Sequence, residues 1–105
     1  MEEEENQEII RVPLPKKHKD EMYAIVSRVL GGSRMNVQCA DGKSRMARIP
    51  GSKKRRISRI REGDLLIITP WEIQDEKADV LFKYKTFQAR YLSKKHLLPS
   101  ELDMF

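Results

Sequence analysis

The chain is poor in the residues that most often do chemistry. It has one cysteine, Cys39, two histidines, His18 and His96, and an aromatic content of 7% over 105 residues. A lone cysteine excludes a disulfide framework, a CxxC pair and a cysteine-based zinc site, and fits a reducing compartment. The histidines stand near opposite ends of the chain. No HExxH pattern, phosphate loop or glycine-rich dinucleotide fingerprint is present, so neither catalytic residues, a metal nor a cofactor is expected. Asp75, Glu76 and Asp79 fit no calcium-loop spacing, and Lys77 interrupts them; they read as a charged turn. No apolar run approaches the roughly 20 residues that span a bilayer, and Glu2-Glu3-Glu4-Glu5 is the opposite of a basic signal-peptide start. A cytoplasmic protein without membrane contact is expected.

What is abundant is charge. Charged residues make up 35% of the chain and hydrophobic ones 39%, with a formal net charge of +5, and the length allows one domain. From Lys43 to Arg61 stand Lys43, Arg45, Arg48, Lys53, Lys54, Arg55, Arg56, Arg59 and Arg61 with no acidic residue among them. Setting these nine aside leaves 12 Lys and Arg against 16 Asp and Glu, a net of −4, so the positive charge is local. A single-sign field focused on one segment steers a polyanion, and evenly charged nucleic-acid phosphate is the first candidate. The bland alternative is a solvated charge run.

Periodicity supplies the frame. Residues 1–20 combine an acidic cluster, Pro13, Pro15 and the basic patch Lys16-Lys17-His18-Lys19 with little apolar material, which predicts a flexible tail; its few apolar residues are able to pin it against a barrel edge. Tyr23 to Leu30 is β-rich and ends at the Gly31-Gly32 turn signal. Met35, Val37 and Cys39 then alternate with polar residues, which completes a hairpin with Cys39 inward as a small core residue. Asp41-Gly42 makes the next tight turn. Ser44 to Ile49 reads as a third strand, in which the odd spacing of Arg45 and Arg48 forbids one shared face and implies a bulge or a strand end. Pro50-Gly51 stops it, and Ile57 and Ile60 permit one or two helical turns.

Leu65-Leu66-Ile67-Ile68 is a strand covered on both sides, and Val80, Phe82 and Tyr84 form a fifth strand whose alternation Leu81 breaks. Thr86 is the expected N-cap of a helix over 86–98, with Phe87, Tyr91 and Leu92 expected to cover one mouth of a barrel. The chain thus divides into a tail (1–20), a barrel (21–85), a helix packed on it (86–98) and a C-terminal tail (99–105). The fold class is all-β, a five-stranded oligonucleotide-binding barrel.

Asp41-Gly42-Lys43, Arg48-Ile49-Pro50-Gly51, Arg61-Glu62-Gly63-Asp64, Pro70-Trp71-Glu72 and Asp75-Glu76-Lys77-Ala78-Asp79-Val80 follow one another in order. With Gln74 and Lys83-Tyr84, and across about Glu21 to Leu98, they resemble the translation initiation factor 1A family in its archaeal form. The resemblance implies the barrel shared with bacterial initiation factor one and the ribosomal S-one domain. It also implies binding to rRNA at the decoding (A) site of the small ribosomal subunit, support for initiator tRNA binding and for subunit dissociation, and other initiation factors as partners. The family's RNA-facing positions fall on Arg45, Arg48, Lys53, Lys54, Arg55, Arg56 and Arg61. Arg59 stands where many members carry Trp. The acidic start differs from the basic tail of eukaryotic members, and their long acidic C-terminal tail has no counterpart here.

Lys43, Arg34 and Trp71 are further RNA-binding candidates, and the sequence leaves open whether Trp71 caps the barrel or offers a platform to a base. The expected protein is a monomeric, non-enzymatic RNA binder. Its rivals are a general single-stranded RNA binder or RNA chaperone with the same fold, a nuclease-like barrel, for which the basic loop lacks neighbouring carboxylates, and a module that docks acidic protein partners.

Overall fold

The computed structural model describes residues 12–57 and 59–105. Five strands, β1 (Met22–Gly31), β2 (Arg34–Cys39), β3 (Ser44–Arg48), β4 (Leu65–Pro70) and β5 (Lys77–Lys83), precede one helix, α1 (Thr86–Lys94). The strands close in the order β1-β2-β3-β5-β4, with β4 returning to β1. Only β3 and β5 run parallel, as an oligonucleotide-binding barrel requires when a long connection separates β3 from β4.

The turn chemistry sets the first hairpin. Gly32 and Ser33 lie at φ 60° and 63°, two left-handed residues in succession, whose twist matches that of the flanking strands. From there Met35, Val37 and Cys39 point inward and are almost wholly buried. β1 is long because it pairs with both β2 and β4. It is able to do so because its register with β2 shifts between Val26 and Arg28 and again between Val29 and Gly31, and such bulges bend a strand.

Leu66 and Ile68 of β4 join the barrel interior with Val37, Cys39, Ala78 and Val80. Leu65 and Ile67 face the other way, into a second core with Tyr23, Tyr84, Ala89 and Leu92. The strand is covered on both sides, as its unbroken apolar run predicts. Leu81 is the residue that breaks the pattern in β5. Ile68 pairs with Val80 and Ile67 with Phe82, so Leu81 is the extra residue of a bulge.

Three features differ from the sequence expectation. The helix begins one residue earlier in its capping, where the Lys85 N–H donates to Gln88 Oε1 at 2.8 Å, and it ends at Lys94, short of residue 98. Phe87 is 56% exposed and covers no mouth; Ala89 and Leu92 take that role, because Phe87 falls on the helix face turned away from β4. The C-terminal stretch is not a loose tail throughout, since Leu98 and Leu102 are buried in the second core and Ser93 Oγ donates to Asp103 Oδ1 at 2.8 Å. Burying a leucine such as Leu102 contributes about 1.5–3 kcal/mol.

At the other terminus residues 1–11, which carry the acidic start, lie outside the described residues. Val12 packs on the second core, and the Tyr84 hydroxyl donates to the Pro13 carbonyl. Apolar contact therefore holds the last part of the expected tail against the barrel. Among the described residues no helix is long and apolar enough to cross a membrane.

Candidate nucleic-acid interface

The basic segment divides in space. β3 runs from one end of the barrel to the other, so Lys43 and Arg45 lie at its start and Arg48 and the loop beyond it at its finish. The loop leaves β3 through Ile49, whose N–H donates to the Ser33 carbonyl at 3.0 Å. Pro50 in extended geometry then sets up a short 3-10 turn over Gly51–Lys53. The Ile57 N–H donates to the Lys53 carbonyl at 3.0 Å, and Ile49 and Ile57 are buried in the barrel-interior core with Ile60 packed against it.

Three isoleucines thus anchor the loop while Lys54, Arg55, Arg56 and Arg59 face water. At its far end Gly63 N–H donates to the Val26 carbonyl at 2.8 Å, and the Arg61 N–H to Asp64 Oδ2 at 2.8 Å. Arg59 sits at φ 56°, a left-handed conformation that costs a non-glycine residue about 1–3 kcal/mol. Its carbonyl accepts from Lys83 Nζ at 3.2 Å.

Lys54, Arg55, Arg56, Arg59 and Arg61 are exposed and Lys53 half-buried. Among the described residues none of these six has a carboxylate within ion-pair distance. Beside them is a cavity of about 330 Å³ whose floor is Met35, Ile49, Ile57 and Ile60 and whose cations are Arg34, Lys54 and Arg59. Arg34 and Arg48 stand directly opposite each other on β2 and β3. Like charges in that relation repel, and an anion placed between them relieves the repulsion.

Arg45 does not belong with this set. It is 4% exposed, although it was expected to face RNA. Its Nη1 and Nη2 donate to the two oxygens of Asp41 at 3.0 and 2.8 Å, its Nη2 also to Asp75 Oδ2 at 3.2 Å, and its Nε to the Asp75 carbonyl at 2.7 Å. The side chain shares the inward face with Ala47, and its head emerges where the β2–β3 turn meets the β4–β5 connection. It clamps the two together.

The forked hydrogen bonds from Arg45 hold Asp41 below the usual carboxylate range, and Asp41 in turn raises the guanidinium above its usual value. Asp75 is lowered too, chiefly by Lys43, whose Nζ lies 3.0 Å away, and then by Arg45. Lys43 is therefore also occupied. Beside this cluster burial pushes the Cys39 thiol up, which suits a core residue and not a nucleophile.

Arg48 is intermediate between the two groups. It is exposed at the end of β3, its Nε donates to Asp79 Oδ1 at 3.1 Å, and its guanidinium lies 4.9 Å from the centre of the Trp71 ring. Trp71 Nε1 donates to the same Asp79 oxygen at 3.0 Å. Among the described residues Trp71 is not part of either core cluster. It is half-buried, with Arg48 over its ring and Lys77 Nζ 5.7 Å from it. Among the described residues no group of three or more His, Cys, Asp or Glu is arranged to hold a metal ion.

Comparison with known proteins gives the family. A profile of the family described as Translation initiation factor 1A / IF-1 matches residues 3–104. Translation initiation factor 1A of Thermoplasma acidophilum is 53% identical over 103 residues, covering 97% of this chain and 86% of that protein. Its namesake in Picrophilus torridus is 48% identical over 105 residues, covering 100% and 96%. The chain belongs to the translation initiation factor 1A family. Translation initiation factor 1A 2 of Methanosarcina acetivorans is 52% identical over 92 residues, covering 88% of this chain and 87% of that protein. These relatives are archaeal, in keeping with the resemblance read from the motifs.

For a member of the translation initiation factor 1A family, the residues that sequence reasoning missed are those that present or withhold charge. Ile49, Ile57 and Ile60 hold the loop in place, and their spacing alone was the available signal. Asp41 and Asp75 neutralise Lys43 and Arg45; Asp41 lies four residues from Arg45, but Asp75 is 30 residues away, beyond any local pattern. The opposition of Arg34 and Arg48 depends on strand register.

Proposed function

We propose that this protein is a translation initiation factor that binds rRNA at the decoding (A) site of the small ribosomal subunit. The observation that carries the reading is the loop from Lys53 to Arg61. Six cations, unpaired among the described residues, ride on buried isoleucines beside a concavity that Arg34 shares. Exposed Arg side chains fork onto phosphate oxygens. The barrel behind it occupies the site by its bulk and keeps other ligands of that site out. Initiator tRNA binding and subunit dissociation follow indirectly from that occupancy, with the protein acting as a cytoplasmic monomer beside other initiation factors. Arg48, Arg34 and Trp71 flank the contact, whereas Arg45 and Lys43 brace the opposite end.

A general RNA chaperone with this fold would display several aromatic side chains on the barrel for stacking. Here Trp71 is the one aromatic beside Arg48, and Phe87 lies away on α1. Sedimentation with separated 30S and 50S subunits tests the reading. Stoichiometric association with 30S and none with 50S is expected, together with protection of decoding-site bases from chemical modification. Equal association with both subunits and with naked RNA would overturn it in favour of a chaperone.

A further inference from the structure

Asp79 stands where charge alone would not place it. Arg34 on β2, Arg48 on β3 and Asp79 on β5 lie side by side in one row across three strands. Their chain neighbours Met35, Ala47, Ala78 and Val80 are buried, so by strand alternation all three side chains emerge on the outer face of the barrel. A carboxylate in that row repels the phosphate that the two arginines attract. Beside an RNA contact it is a net cost unless it does something else for the contact.

The geometry of one oxygen supplies the reason. Asp79 Oδ1 accepts from Arg48 Nε at 3.1 Å and from Trp71 Nε1 at 3.0 Å. The Arg48 guanidinium is thus tied at Nε and lies over the indole ring, 4.9 Å from its centre. Its Nη1 and Nη2 have no hydrogen-bond partner among the described residues. They carry four of the five N–H donors of the guanidinium, in a fork that meets two phosphate oxygens at once. We infer that Asp79 is a positioning residue: through Oδ1 it holds Arg48 against Trp71 and leaves the Nη edge for a backbone phosphate of RNA, which Arg34 meets from the other side. An arginine held in this way gives up less side-chain freedom when the phosphate arrives. The role rests on the RNA reading given above, since it acts through an arginine that flanks that contact.

Asp79→Asn and Asp79→Ala remove the same charge, and only the first keeps an oxygen able to accept twice. Affinity for 30S subunits and for a single-stranded RNA oligonucleotide is measured for the full-length parent, both variants, Arg48→Ala, and Arg48→Ala combined with Asp79→Ala. Asp79→Ala should weaken binding by about threefold to tenfold, the ordering cost of one long side chain, and Asp79→Asn should recover most of that loss. In the Arg48→Ala background Asp79→Ala should bring no further loss. Asp79→Val, a strand former without an acceptor, repeats the alanine arm where alanine weakens β5. Without ligand, the fluorescence anisotropy of Trp71, the only tryptophan of the chain, should fall in Asp79→Ala and hold in Asp79→Asn. Equal affinity of the Asn and Ala variants, tighter binding by both than by the parent, or the same loss from Asp79→Ala with and without Arg48 would each overturn the role of Asp79. A parent that binds 30S and 50S alike would sink the decoding-site reading and leave the oligonucleotide cycle to decide that role, and a parent that binds neither subunits nor oligonucleotide would overturn both.

Discussion

Lys43 and Arg45 belong to the same acid-free run as Lys53 to Arg61, yet the two ends of that run do opposite things. At the first end Asp41 and Asp75 neutralise both cations and Arg45 is buried. At the second the cations face water with no carboxylate in reach among the described residues. The difference comes from how the chain meets itself. A strand side chain that points inward must find a partner at the barrel mouth, because an unpaired buried charge is costly. A loop held by isoleucines has no such need. Local sequence charge therefore sets how many cations a segment carries, and topology decides which remain available to a polyanion.

The comparison breaks most visibly at Arg45. Arg45→Ala leaves Asp41 and Asp75 facing each other without their shared cation, and a loss of about 2–4 kcal/mol is expected, read as a lower urea midpoint at unchanged m. Small-subunit affinity measured below the unfolding transition should change little. A large affinity loss with unchanged stability would put Arg45 among the RNA contacts after all.

The converse holds for the loop. Replacing Lys54, Arg55 and Arg56 together with alanine should leave stability within about 1 kcal/mol, as for exposed residues outside the core, while weakening 30S association severalfold or more. A matching drop in thermal midpoint would mean that the loop is part of the folding unit.

Acid sharpens the contrast. Asp41 is depressed in the folded state by Arg45, so its contribution is fully present above the unfolded carboxylate value of about 3.9 and is lost as pH falls through the lower folded value. Urea midpoints measured between about pH 2 and pH 5 should fall toward the acid end, and Asp41→Asn should flatten that limb. An unchanged acid limb in the variant would remove the clamp from the account. The smallest effect is expected at the intermediate residue. Trp71→Ala removes the ring over which Arg48 lies, worth about 0.5–1 kcal/mol at an exposed site, and should lower 30S affinity by a few-fold at most.

Much of this was legible in the sequence. The alternation of Met35, Val37 and Cys39 gave β2 its phase, Gly31-Gly32 and Asp41-Gly42 placed the turns, and Leu81 marked a break in the alternation of β5 that only the pairing with β4 identifies as a bulge. The burial of Arg45 was partly legible as well. It shares strand parity with Ala47 and Ile49, both buried, so its inward direction was readable, but its partner Asp75 was not. Phe87 misled because an aromatic in an amphipathic helix is a good core candidate, and only the seat of α1 on β4 decides which face turns inward. Leu102 was out of reach for a similar reason, since a short apolar residue after Pro99 has no periodicity until a groove exists to receive it.

The central claim is that the free end of the basic run, and not its total charge, binds the small subunit. The most direct test is the salt dependence of 30S affinity for the parent protein, the Lys54, Arg55 and Arg56 triple-alanine variant, and a Lys94 and Lys95 double-alanine control. Each phosphate contact on single strands contributes a log–log slope of roughly −0.7, and structured RNA keeps the sign. A flatter slope and weaker binding for the triple variant, with the control like the parent, is the predicted result. Equal losses in both variants would show that long-range attraction by net charge, and not a docked loop, explains the association, and would contradict the account.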